Sequence, residues 1–203
     1  MALPVKDKRY TAAEYLELER QAEYKSEFVD GEIFAFAGAS EAHNLIATNC
    51  IAELRGQLKE TPCKLYPSDM RVQLARSTRY TYPDITVVCG EAEFIDEKRD
   101  TLTNPTLVIE ILSPSTKGYD RGEKFESYRQ LGSLQTYVLV AQGRPFVEVF
   151  ERQAGERWLL AEHRGLDSSI PLPSVGCELQ LAEVYDRIDF GQPSQEVEGE
   201  RNR

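Results

Sequence analysis

The chain has 203 residues, 41% hydrophobic and 29% charged, with 34 acidic against 24 basic side chains and a formal charge of −10. That length allows one domain with a substantial core, and the composition excludes disordered, collagen-like and coiled-coil classes in favour of a mixed α/β protein. The acidic excess sets a global field that repels nucleic acid, so binding to it would require a different local potential or a bound divalent cation.

The N-terminal stretch mixes Lys6, Lys8 and Arg9 with Glu14 and Glu17 and has no apolar core of signal-peptide length. No run approaches the roughly 20 apolar residues that cross a bilayer, so a cytoplasmic protein without membrane contact is expected. Cys50, Cys63, Cys89 and Cys177 lie far apart without a CxxC pair. That spacing argues against structural zinc and predicts reduced, buried thiols.

In chain order, Thr11 followed by Glu14 has the form of a capping box, opening a short helix through Leu16 and Leu18. Asp30-Gly31 supplies the positive φ angles of a tight turn between strands at Ser26–Val29 and Glu32–Phe36. Ser40 caps a second helix, with Leu45, Ile46, Ile51, Leu54 and Leu58 at roughly helical spacing. Cys63–Tyr66 and Met70–Leu74 read as extended, and Arg76–Tyr80 as a polar turn.

Ile85–Cys89 and Leu107–Leu112 are nearly uniform apolar runs, the pattern of strands covered on both faces. A helix over Arg121–Leu131, closed by Gly132, precedes a strand at Thr136–Val140 and suggests a crossover unit. Pro145–Phe150 and Trp158–Ala161 form a further hairpin around Gly155, and Leu179–Tyr185 a short terminal helix. One domain over residues 1–190 is expected, with a frayed polar tail over 191–203.

Glu110 is the chemical anomaly. It interrupts an apolar strand, where a carboxylate is costly to bury unless it is paired or metal-bound. Asp84 follows Pro83 at the start of the preceding apolar run. If the two strands are neighbours, their carboxylates converge and suit Mg²⁺, which takes one or two carboxylates plus waters. The alternative makes Asp84 a turn residue and Glu110 a strand-end group or an arginine partner.

Asp120, Lys124 and Tyr128 recur at helical spacing and share a face, so Lys124 could point back at the carboxylates. A lysine there could hold an attacking water or stabilise a pentavalent phosphate. Alternatively, Asp120 is a helix cap with Glu123 at its third position, and Lys124 is a solvated residue. Ser113-Pro114-Ser115-Thr116 reads as a turn, since neither His43 nor His163 forms a recognised nucleophile motif with it. Lys117, Arg121 and Arg129 could supply local positive charge or lie on a solvated face.

Pro83-Asp84, then Glu110-Ile111-Leu112-Ser113-Pro114-Ser115-Thr116, then Asp120, Lys124, Tyr128 and Gly132, resembles the Uma-two family of PD-(D/E)xK restriction-endonuclease-like proteins. The resemblance extends from Glu27-Phe28-Val29-Asp30-Gly31-Glu32 and His43 to about Tyr185. It implies a restriction-endonuclease-like α/β fold, with a central mixed β-sheet flanked by helices behind an N-terminal helix and hairpin. It also implies Mg²⁺ or Mn²⁺ held by Asp84, Glu110 and the backbone carbonyl of Ile111, and hydrolysis of DNA phosphodiesters.

The superfamily lysine stands two residues after the acidic residue, where this chain has Leu112. The resemblance implies that Lys124 on the following helix replaces it. Glu27 and His43 are expected near the site, contacting metal-bound groups or substrate, with hairpin and helix-capping roles as their alternatives. Double-strand cleavage would favour a homodimer. A competing expectation is a non-catalytic interaction module that keeps the nuclease fold.

Overall fold

The computed structural model describes residues 8–36, 38–74, 78–113 and 117–190. The N-terminal helix α1 (Ala12–Glu19) starts at Thr11, whose hydroxyl accepts the Glu14 N–H while the Glu14 carboxylate reaches back to the Thr11 N–H. The hairpin β1 (Ser26–Val29) and β2 (Glu32–Ala35) follows, with both Asp30 and Gly31 at positive φ in its turn. Helix α2 (Glu41–Gln57) is capped by Ser40 and buries Ile46, Cys50 and Leu54, spaced four residues apart on one face.

The middle of the chain supplies β3 (Cys63–Pro67), β4 (Arg71–Leu74), β5 (Arg79–Thr81), β6 (Ile85–Cys89), β7 (Thr101–Leu102) and β8 (Leu107–Leu112). After β8, helical chain runs through α3 (Lys117–Tyr119), a π-helical segment Asp120–Lys124 and α4 (Phe125–Tyr128). Strands β9 (Thr136–Ala141), β10 (Phe146–Arg152), β11 (Trp158–Arg164), β12 (Ser169–Leu172) and β13 (Cys177–Gln180) lead to α5 (Leu181–Val184).

Six strands form a mixed sheet in the order β11-β10-β9-β8-β6-β3. Its one parallel pair, β8 with β9, is joined by the helical segment, as a crossover requires. Alternation along β8 divides the interior. Leu107, Ile109 and Ile111 enter the core under α2 and α5, whereas Val108 and Leu112 enter a second core with Phe125, Tyr128 and Tyr137. Glu110 shares that second face by period two. Each side chain fully buried in these layers contributes about 1.5–3 kcal/mol.

A second sheet, in the order β2-β1-β5-β4-β7, carries the N-terminal hairpin. Under it, Arg71 is 2% exposed and donates to Thr101 Oγ1 at 2.8 Å and Tyr82 Oη at 3.0 Å, while Arg20 clamps Asp100 at 2.7 Å. These long-range charge contacts fasten α1 to the sheet.

Several expectations require correction. Residues 79–81 are a strand, because Arg79, Tyr80 and Thr81 pair with β4 and Arg79 and Tyr80 with β1; residues 75–77 lie outside the description. The central helix begins at Lys117 and ends at Tyr128, with Arg129 as its C-cap in place of Gly132. Cys177–Gln180 pairs with β12, which leaves only Leu181–Val184 for the terminal helix.

Cys50 and Cys177 are free and buried, but Cys63 and Cys89 form a disulfide. The antiparallel β3–β6 register places those two residues opposite one another. No local sequence spacing encodes that pairing. The expected 191–203 tail lies outside the described residues. Among those described, no helix is long and apolar enough to cross a membrane.

Candidate metal and phosphodiester site

Strand ends and one helix face build the site. The β6–β8 ladder pairs Ile85 with Ile109, so continuing the antiparallel register by one residue brings Asp84 opposite Glu110. Asp84 is fixed through both oxygens: Oδ2 accepts the Ile111 N–H at 2.7 Å, and Oδ1 lies 3.1 Å from His43 Nε2. His43 occupies the first turn of α2 because Ser40 Oγ accepts its N–H. Its Nδ1 is buried without a hydrogen-bond partner among the described residues.

Glu110 meets the crossover helix. Its Oε1 lies 2.9 Å from Lys124 Nζ and accepts the Tyr128 hydroxyl at 3.1 Å. Lys124 is 5% exposed and also meets Glu27 at 3.2 Å and Asp120 at 3.8 Å. Both local alternatives for this helix are therefore excluded. Asp120 lies inside the helical chain, and Lys124 is a buried cation with three carboxylate neighbours.

The widened π turn falls on Asp120–Lys124, a geometry that often accompanies functional sites in helices. Tyr137 supports it from β9, donating its hydroxyl to the Asp120 carbonyl at 3.1 Å.

Burial pushes Glu110 well above the usual carboxylate range, with Asp120 and Asp84 adding to the rise and Lys124 opposing it. Burial also disfavours the Lys124 ammonium, but Glu110, Glu27 and Asp120 overcome this and hold its pKa well above the ordinary value. Lys124 is held charged, since among the described residues three carboxylates lie within 3.8 Å of its ammonium. Burial raises the Tyr128 hydroxyl as well, keeping it a donor.

The second sheet contributes residues that the sequence did not single out. Thr81 on β5 donates its hydroxyl to Glu27 Oε1. Neighbouring Arg79 spans Asp30, at 2.9 Å, and Ser127 Oγ, at 2.9 Å, tying the hairpin to the helix that carries Lys124. Half-buried Tyr119 faces the same cluster, and burial, then Glu27, raise its pKa. Their signal lies in sheet pairing across distant segments, which residue spacing does not reveal.

Thus the structure brings Glu27, Glu110, Asp120, Lys124 and Tyr128 into one buried network, while Asp84, Ile111 and His43 meet at its edge. Of the turn after β8, Ser113 is described and residues 114–116 lie outside the description. Among the described residues, no group of three His, Cys, Asp or Glu side chains is arranged around a common metal position.

A mixed sheet, a crossover helix and a buried carboxylate on a central strand define a restriction-endonuclease-like α/β protein. The chain belongs to the Uma2 family, described as "Putative restriction endonuclease", whose model matches residues 12–183. It is 41% identical over 160 residues to "Uncharacterized protein sll1609" of Synechocystis sp., covering 79% of this chain and 90% of that relative. Another Synechocystis relative, "Uncharacterized protein slr1290", is 31% identical over 177 residues, covering 87% of this chain and 92% of that one.

The fold is similar to the crystal structure of "a putative nuclease belonging to DUF820" from Anabaena variabilis, with TM-score 0.70 and 20% identity. That match covers 87% of this chain and 97% of the other.

Proposed function

We propose that this protein is a divalent-cation-dependent endonuclease that hydrolyses DNA phosphodiester bonds. The observation that carries the reading is the charge of the cluster: Glu110 is buried beside Lys124 while the Asp84 and Asp120 carboxylates raise its pKa. An excess of carboxylates around one lysine fits a dication. Two carboxylates, a backbone carbonyl and waters also suit Mg²⁺, which retains much of its hydration.

Asp84, Glu110 and the Ile111 carbonyl would hold Mg²⁺ or Mn²⁺. The bound ion would polarise the phosphate and lower the pKa of the attacking water. Lys124 would orient that water or stabilise charge developing on the phosphate, from a position fixed by Glu110, Glu27 and Asp120. Tyr128 orients Glu110 through its hydroxyl, and His43 orients Asp84 through Nε2. We further propose a homodimer for double-strand cleavage, checked by sedimentation equilibrium.

The deciding experiment compares cleavage of plasmid and single-stranded DNA, with Mg²⁺ or Mn²⁺, by the wild type and by Asp84→Ala, Glu110→Ala and Lys124→Ala. Metal-dependent cleavage lost in all three supports the assignment. Activity that survives both carboxylate substitutions excludes it.

A further inference from the structure

The sheet register places a pair of arginines beside the proposed site, on the same face. Across the six-stranded sheet, Glu110 pairs with Leu139, Leu139 with Glu148, and Glu148 with Glu162. Phe146 stands two residues before Glu148 on β10 and therefore shares its face. Because β10 runs opposite to β8, that step leads toward the edge where β8 ends and the crossover begins. From the spacings of strands and residues, Phe146 lies roughly 10–15 Å from Glu110.

Two guanidiniums converge on the Phe146 ring. Arg144, in the turn before β10, lies 4.5 Å from the ring centroid, and Arg164, the cross-strand partner of Phe146 on β11, lies 4.6 Å from it. Both arginines are exposed, while the ring is 5% exposed. Arg144 has no carboxylate within ion-pair distance among the described residues. Arg164 meets Glu162 at 2.5 Å, but those side chains are 62% and 42% exposed. An exposed pair of this kind contributes little and exchanges readily for another anion.

The ring restrains two like charges in one place, in a chain whose net charge is −10. An anion between or across them would relieve their repulsion. Guanidiniums suit phosphate because their planar donors can bind its oxygens in pairs. Gln142 extends the same turn and takes the Ser40 hydroxyl at 2.6 Å, linking it to the N-terminus of the helix that carries His43.

We propose that Arg144 and Arg164, held on Phe146, form a contact for the phosphate backbone of nucleic acid and guide the strand toward Glu110 and Lys124. This rests on the nuclease reading for the direction of the strand. Its charge-based binding is sequence-independent. The contact also supplies the local positive potential that the overall composition lacks.

The test is fluorescence anisotropy of a labelled DNA duplex with the full chain, over a KCl series in Ca²⁺. The wild type is compared with Arg144→Ala/Arg164→Ala, Arg144→Glu and the Arg144→Lys/Arg164→Lys pair. Loss of two phosphate contacts should weaken binding on the order of tenfold at low salt and flatten the slope of log affinity against log salt by about 2. Arg144→Glu should weaken binding on its own, and the lysine pair should restore most of the slope.

Mn²⁺ binding by the alanine variant should match the wild type, which separates this contact from the metal site. Equal DNA affinity and slope in the wild type, the alanine variant and Arg144→Glu would overturn the proposal. So would a wild type that binds no DNA at low salt. Loss of Mn²⁺ binding at Asp84→Ala and Glu110→Ala tests the metal site independently of either result.

Discussion

Lys124 Nζ stands 2.9 Å from Glu110 Oε1, with both side chains almost wholly buried and Tyr128 donating to the same oxygen. A pair so placed gives up hydration on both sides, and its attraction offsets this only with further hydrogen bonds. Here the further carboxylates tip the balance toward negative charge, so the pair contributes less to stability than its short distance suggests.

Glu110→Gln is therefore expected to leave the unfolding free energy within about 1 kcal/mol of the wild type, because it removes a charge that burial disfavours. The same change should abolish Mn²⁺ binding. Urea denaturation and calorimetric titration together check this. In the wild type, burial holds the Glu110 pKa above the ordinary carboxylate range and cation binding favours its ionised form, so Mn²⁺ affinity should rise with pH.

Lys124→Ala has the opposite consequence. It leaves Glu27, Glu110 and Asp120 without their shared cation and should cost about 3–5 kcal/mol of stability, read from the denaturation midpoint. A loss below about 1 kcal/mol would contradict the buried network.

The Cys63–Cys89 bond closes a separation of 26 residues between β3 and β6. Reduction, or the double change Cys63→Ser/Cys89→Ser, should lower stability by about 2–4 kcal/mol, with the reduced wild type and the double variant melting alike. Insensitivity of the melting temperature to dithiothreitol would count against the bond.

Arg20 holds the Asp100 carboxyl at about 2, below its ordinary 3.8, through a direct hydrogen bond. The folded pKa lies below the unfolded one, so this contribution is present above about 4 and is lost as pH falls through 2. Melting temperatures from pH 6 to pH 2 should show Asp100→Asn less stable at the upper end, with the gap to wild type narrowing toward the lower end.

Gly122 lies within the π turn, with open space where a Cβ would stand and no positive φ. Gly122→Ala should stabilise the protein by about 0.4–1 kcal/mol by restricting the unfolded chain. Chemical denaturation measures this directly, and a loss of stability would indicate that the π geometry needs glycine.

Local chemistry made much of the scaffold legible in the sequence. Thr11 with Glu14, Asp30-Gly31 and Ser40 are caps and turns set by residues a few positions apart, and the apolar runs of β6 and β8 show their two-sided burial directly. The oddity of Glu110 is equally local, since a charged residue within such a run is visible without coordinates. Asp120, Lys124 and Tyr128 reveal their common face by helical spacing.

What tertiary structure decided depends on contacts between distant segments. Only the β6–β8 register brings Asp84 opposite Glu110, and only the second sheet carries Glu27, with Thr81 bonded to it, to Lys124. Sheet pairing also turned the stretch around Tyr80 into a strand and joined Cys63 to Cys89. The sequence by itself determined which residues were chemically out of place. The fold decided which of them meet, because strand partners and their register are set by packing across the whole chain.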